Sequence, residues 1–161
     1  MIFVVLGTQK EQFKRIIEYV VNSEELKNEK ILIQNGYTKY DNDYDKQRIT
    51  MLGFINSKEF NDYIVKANFV ISHGGVGSIF SSLLCNKKVL AIPRLKKYDE
   101  HVDDHQIEIC NKLQDLGYIL CYNEQDEGNN IFDDKIKKLK QLEFKKYIQD
   151  KSFLNILRKE I

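Results

Sequence analysis

Residues 68–84 read NFVISHGGVGSIFSSLL, an apolar β-branched run that meets Gly74, Gly75 and Gly77 and passes into Ser78 and a second apolar stretch. A short run of this kind without alternation predicts a strand buried on both faces, here Asn68–Ser72. Ser78 is a residue type that opens helices, and Ile79, Leu83 and Leu84 behind it share one helical face. The stretch therefore predicts strand, glycine-rich turn and helix in succession, the repeating unit of a parallel α/β sheet.

The same alternation extends in both directions. Ile2–Leu6, Lys30–Gln34, Ile49–Leu52, Lys88–Ile92 and Tyr118–Tyr122 are further predicted strands. Phe13, Ile16, Ile17, Val20 and Val21 recur at helical spacing, with Thr8 and Glu11 placed as a capping box ahead of them. Ser57 opens a predicted helix through Phe60, Ile64 and Ala67. Asp103 and Gln106 open another through Ile107, Cys110 and Leu113, and Gly117 ends it. Residues 36–48 are polar and aperiodic and read as a loop. Right-handed crossovers leave few other arrangements, so the expected fold is α/β, a Rossmann-like parallel sheet covered by helices on both faces.

At 161 residues the chain is expected to form one domain, with a C-terminal helical segment over about 133–161 carrying Ile136, Leu139, Leu142 and Phe144, then Phe153, Leu154, Ile156 and Leu157. No apolar run approaches the roughly 20 residues that cross a bilayer, and Met1–Leu6 reads as a strand, not a leader, so a cytoplasmic chain is expected. A formal net charge of +1 gives no general field for nucleic acid, and no nucleic-acid partner is expected. The lysine-rich segment from Lys135 to Lys151 reads as a solvated helix face or as a surface near anionic lipid. Cys85, Cys110 and Cys121 lack metal-ligand spacing and read as small core residues.

In an open parallel sheet, ligands bind beyond the carboxyl ends of the strands, where helix N-termini present unpaired N–H groups. Gly7-Thr8, residues 73–78 and residues 93–106 should meet there. Glycines at 74, 75 and 77 would let a phosphate approach the backbone, with Ser78 and the adjacent amides donating to it; the competing reading is a turn and nothing more. No Gly-Lys-Ser/Thr closes the loop and Phe80 replaces the third glycine of a dinucleotide fingerprint, so the kinase and dehydrogenase readings lose their support. The stretch PRLKKYDEHVDDHQ, residues 93–106, reads either as a capped solvated loop or as a sugar or nucleotide clamp. A metal at His101 and His105 with Asp104 or Glu100 is disfavoured because Asp103, as a cap, would leave His101 outside the helix.

SHGGVGSI at 72–79, Pro93-Arg94 and EHVDDHQ at 100–106 together resemble the C-terminal, donor-binding domain of family-28 glycosyltransferases, over about Ile2 to Tyr122. They are most similar to short bacterial capsular and exopolysaccharide subunits of the beta-1,4-galactosyltransferase type. The resemblance implies one half of a GT-B enzyme, with a UDP-sugar as donor substrate and neither cofactor nor metal. It implies pyrophosphate contacts from His73, Gly74, Gly75, Gly77 and Ser78, with Arg94 as a helper, and uracil contacts from the backbone of Phe54 and Ile55. Asp104, His105 and Gln106 would lie on the donor side, Gln106 and His105 at the transferred sugar. Gly7, Thr8, Gln34 and Gly36 would line the cleft. Ser81 stands where many members carry a ribose-binding glutamate, with Ser82 as a weak substitute.

The activity so implied is inverting hexosyl transfer, galactosyl in the first instance, to a lipid-linked saccharide acceptor in capsular or exopolysaccharide assembly. His101, Glu100 or a residue of the other half would be the general base. The implied partner is a membrane-anchored acceptor-binding subunit that would hold the chain at the inner face of the membrane. The rival reading is a non-catalytic sugar-nucleotide-binding or regulatory module that stabilises a partner enzyme.

Overall fold

The computed structural model describes residues 1–123 and 125–148. The expected apolar runs form six strands: β1 (Ile2–Val5), β2 (Ile31–Gln34), β3 (Ile49–Met51), β4 (Phe69–His73), β5 (Lys88–Ile92) and β6 (Leu120–Cys121). All neighbours pair in parallel, in the order β3-β2-β1-β4-β5-β6. Among the described residues the α-helices are α1 (Lys14–Val21), α2 (Ser57–Lys66), α3 (Val76–Leu84), α4 (His105–Asp115) and α5 (Asn129–Gln141).

Strand residues alternate between the two faces, and both faces are covered. Ile2, Val4, Ile31, Ile33, Ile71 and Leu90 pack with α1 and α5 through Ile16, Ile17, Val20, Phe132, Ile136 and Leu139. On the opposite face Phe3, Val5 and Val70 pack with Ile64 of α2. There too Val89, Ala91 and Cys121 pack with Ile79, Leu83, Cys110 and Leu113 of α3 and α4. Cys110 and Cys121 are core residues as expected, and their mutual contact, with burial, holds the Cys110 thiol well above its ordinary range.

The helix starts differ from expectation. Thr8 and Glu11 do not cap α1. The Glu11 carbonyl accepts a hydrogen bond from Arg94 Nη1 at 2.8 Å, which takes the chain out of helical geometry until Lys14. Asn56, not Ser57, caps α2, and its side chain and that of Glu59 complete a reciprocal capping box at 2.9 and 3.0 Å. The cap of α3 is Gly75, so Ser78 lies inside the first turn. Asp103 and Gln106 form no capping box on α4, because the Gln106 side chain is used elsewhere. Helix α5 begins at Asn129, ahead of the expected 133, after Gly128 in a positive-φ conformation (φ 88°). It ends before Leu142 and Phe144, and the expected helix with Phe153, Leu154, Ile156 and Leu157 lies outside the described residues. Among the described residues no helix is long and apolar enough to cross a membrane.

Candidate functional site

The strand order reverses direction between β1 and β4, and crevices at such a switch point are where open α/β sheets bind ligands. A cavity of about 590 Å³ opens there. Its walls include Gly7, Thr8 and Gln9 after β1, Gln34 at the end of β2 and Phe54 and Ile55 after β3. His73, Gly75, Gly77, Ser78 and Ser81 follow from β4 and α3, and Gln106 from α4. The three loops expected to converge do so.

With Gly75 as cap and no side-chain cap on α3, the amides of Val76, Gly77 and Ser78 lack intrahelical acceptors, and the first helical bond is Ile79 N to Gly75 O at 3.2 Å. That places bare N–H donors and the positive end of the helix at the cavity wall. The glycines beside them divide by role. A Cβ on Gly75 would lie 2.1 Å from His73 Nε2, and one on Gly7 2.8 Å from the same atom. These two glycines make room for an imidazole, not for a ligand. A Cβ on Gly77 would meet nothing within 4 Å, so Gly77 is the one that keeps the cavity open in front of the helix.

His73 points its Nδ1 at Val5 O (3.3 Å). Burial first, and then the charge of Arg94, push its pKa down to about 4 against the opposing Val5 hydrogen bond. The ring is therefore neutral near pH 7, with Nδ1–H donating and Nε2 left as an acceptor at the cavity. A histidine whose folded pKa lies below its unfolded value leaves stability untouched above about pH 6.5. Below that the unfolded chain takes up a proton that the native one refuses, and the loss grows down to about pH 4. Because the ring borders the open cavity, solvent trims this to roughly 2 kcal/mol at the acid end. His73→Gln should flatten the fall of Tm between pH 6.5 and 4 relative to wild type in paired thermal melts.

Gln34 is 4 % exposed and clasps the loop after β1: Gly7 N donates to its Oε1 and its Nε2 donates to Gly7 O, both at 3.1 Å. Gly36 lies behind this clasp, with φ 51° and no room for a Cβ, which would fall 2.5 Å from Gly7 O, and is not part of the cavity wall. Asn35 ties the same corner by accepting from Gly53 N at 2.9 Å.

Gln106 reaches the cavity but spends its carbonyl oxygen on the main chain, accepting from Gly74 N and Arg94 N at 3.0 Å each. Gly74 itself packs on Gln106 and Cys110, behind the wall. Ser81 lines the cavity, whereas Ser82 is fully buried and donates to Ser78 O at 2.9 Å, so Ser82 is no substitute for Ser81.

Four expected site residues, Arg94, Glu100, Asp104 and His105, are placed elsewhere. Arg94 is 1 % exposed, with its guanidinium donating to Leu6 O (2.9 Å), Glu11 O (2.8 Å) and Glu100 O (3.0 Å) and stacked over Phe13 at 4.7 Å. It braces the loops and does not face the cavity, which removes it as a helper to a leaving phosphate. Glu100 is 3 % exposed, paired with Arg15 through both oxygens (2.9 and 2.7 Å) and accepting from Leu95 N at 3.0 Å. A carboxylate so occupied is not a general base for a ligand in this cavity. His105 is exposed on the first turn of α4 near Asp103 and Glu108, and Asp104 accepts from Lys96 N at 3.0 Å, so neither borders the cavity. His101 sits just behind the wall, its Nε2 2.9 Å from the amide nitrogen of Gln9, a wall residue that the sequence reading missed.

Fold and cavity together define an open parallel α/β domain with a ligand crevice at its topological switch point. The whole-chain comparison agrees: residues 1–155 match the glycosyltransferase family 28 C-terminal domain, and the chain belongs to that family. It is 36% identical over 86 residues to the UDP-N-acetylglucosamine transferase subunit ALG13 of Candida albicans, covering 51% of this chain and 28% of that protein. It is also 36% identical over 84 residues to the UDP-N-acetylglucosamine--N-acetylmuramyl-(pentapeptide) pyrophosphoryl-undecaprenol N-acetylglucosamine transferase of Clostridium botulinum, covering 52% of this chain and 23% of that one. The chain thus spans well under two thirds of these curated relatives. Among solved structures, the solution structure of ALG13 superposes with a TM-score of 0.63 over 97% of this chain and 94% of that one at 23% identity, a likeness of fold.

Proposed function

We propose that the chain is the donor-binding half of an inverting UDP-sugar hexosyltransferase, working without a cofactor or metal. It would be completed by a membrane-anchored subunit that brings a lipid-linked saccharide. The observation that carries this reading is the N-terminus of α3 opening onto the switch-point cavity beside Gly77, which suits a diphosphate. Phe54, Ile55, Phe60 and Asn61 form the end of the cavity suited to a flat base, and Gln106 the end suited to a sugar. Such a site holds the growing charge on the departing diphosphate with fixed main-chain dipoles. The relatives are named for N-acetylglucosamine, so this sugar takes precedence over the galactose expected from the sequence. A capsular or exopolysaccharide acceptor draws no support from their names. Attachment to the inner face of a membrane follows from the partner and not from the chain.

Amide chemical-shift mapping tests the reading. UDP and UDP-N-acetylglucosamine should bind saturably and move Phe54, Ile55 and Gly74–Ser78, with ADP weaker by about tenfold or more. UDP-galactose should bind less tightly than UDP-N-acetylglucosamine. Shifts absent from the α3 turn at saturating UDP would end the proposal. Binding without transfer, in the presence of membranes that supply acceptor and partner, would favour the non-catalytic module instead.

A further inference from the structure

The loop from β5 to α4 carries a histidine with a carboxylate on one side and the cavity wall on the other. His101 Nδ1 lies 2.9 Å from Asp103 Oδ1, and Nε2 lies 2.9 Å from Gln9 Nε2. An amide NH2 can only donate, so Nε2 accepts; a carboxylate can only accept, so Nδ1 carries the proton. Nδ1 also lies 3.1 Å from Asp103 O and accepts from Asp103 N at 3.2 Å; the two acceptors lie closer than that one donor, and with Nδ1 carrying the proton the Nε2 lone pair is directed at a residue of the cavity wall.

The carboxylate is held in its turn, since Asp103 Oδ1 also accepts from His105 N at 3.2 Å. The loop is stapled at three further points: Leu95 N to Glu100 Oε2, Lys96 N to Asp104 Oδ1, and Arg94 Nη1 to Glu100 O, each at 3.0 Å. Other charges near the ring are compensated or weak. Glu100 is neutralised by Arg15, Arg94 is turned onto three carbonyls, and His73 on β4 is neutral near pH 7. Asp103 is the carboxylate in contact with the imidazole.

We propose that Asp103 is a positioning residue that fixes His101 as the general base, and that the Gln9 amide occupies the place a donating acceptor hydroxyl takes during transfer. This rests on the donor-binding reading above. The hydroxyl oxygen bonds to the anomeric carbon as its proton passes to His101 Nε2. The bond from that carbon to the diphosphate oxygen breaks, and its electron pair leaves with UDP.

Nitrogen-15 spectra of the full chain, which detect protonation at each imidazole nitrogen, test the arrangement without any partner. Wild type should show His101 protonated at Nδ1 and bare at Nε2. Asp103→Asn should lose that signature and Asp103→Glu should recover part of it. Gln9→Ala should keep it. Protonation at Nε2 in wild type, or an unchanged signature in Asp103→Asn with Tm retained, overturns the proposal. Assayed with membranes of source cells lacking their own copy, Asp103→Asn should lower kcat by about 10²-fold while KM for the UDP-sugar holds; an unchanged kcat also overturns it. UDP shift mapping on Asp103→Asn separates the two readings, because intact donor binding beside an intact tautomer rejects only the relay.

Discussion

Gly75→Ala is expected to destabilise the protein by about 3 kcal/mol, a fall in Tm of roughly 6–12 °C, while Gly77→Ala leaves stability within about 0.5 kcal/mol of wild type or slightly above it. The two residues lie in the same turn and differ only in what a methyl group would meet. At Gly75 it would overlap the His73 ring at 2.1 Å, and that ring is held between Gly75, Gly7 and the Val5 carbonyl. At Gly77 it would enter open cavity. Function should divide in the opposite sense, with Gly77→Ala weakening UDP by about tenfold or more while its melting curve stays normal. Adding His73→Ala to Gly75→Ala should return much of the lost stability, because the two positions share one collision. Urea titrations of the four chains and UDP titrations of the two folded single variants give the measurement. Equal destabilisation by both alanines would show that the turn is built as a turn and nothing else.

Arg94→Met should lower stability by about 4 kcal/mol, read as a drop in the urea midpoint. The guanidinium serves three carbonyls on three segments, at Leu6, Glu11 and Glu100, and removal takes this donor from all three, the Leu6 and Glu100 contacts being buried. Burial opposes its charge, while Glu100 and Glu11 support it. Arg94→Lys should recover less than half of the loss, since one ammonium cannot span three acceptors set around a planar fork. UDP binding by the folded fraction of Arg94→Lys should stay near wild type; a large drop would return Arg94 to the cavity.

The six strands were legible because their β-branched and aliphatic runs lie between two helical layers, and a run buried on both faces needs no alternation. Helix starts were less so. Thr8 and Glu11 have capping-box spacing, yet a carbonyl in that stretch is claimed by an arginine 83 positions away, and local spacing carries no trace of a partner so distant. The stretch 93–106 stood out by its density of polar groups, and of these Gln106 borders the cavity. Which of those groups face a ligand was hidden, because the direction of a charged side chain depends on whether buried carbonyls wait for it. Arg94 and Glu100 turned inward on that account, and His101 met the wall through Gln9, whose own sequence neighbourhood gave no sign of it. The glycines were legible as a cluster but not by role, since only the fold shows that Gly77 opens space, Gly75 accommodates a ring together with Gly7, and Gly74 packs on Gln106.

The occupied carbonyl of Gln106 gives the sugar end of the cavity a polarity. Two main-chain donors have consumed the accepting side of that amide, so what remains to greet a guest is a hydrogen-giving group. A sugar oxygen can answer it through its lone pairs, whereas an ammonium-bearing analogue finds only repulsion. Glutamate at this position would keep the tether to both loops and lose the handshake, separating scaffold from selection with a single atom exchanged.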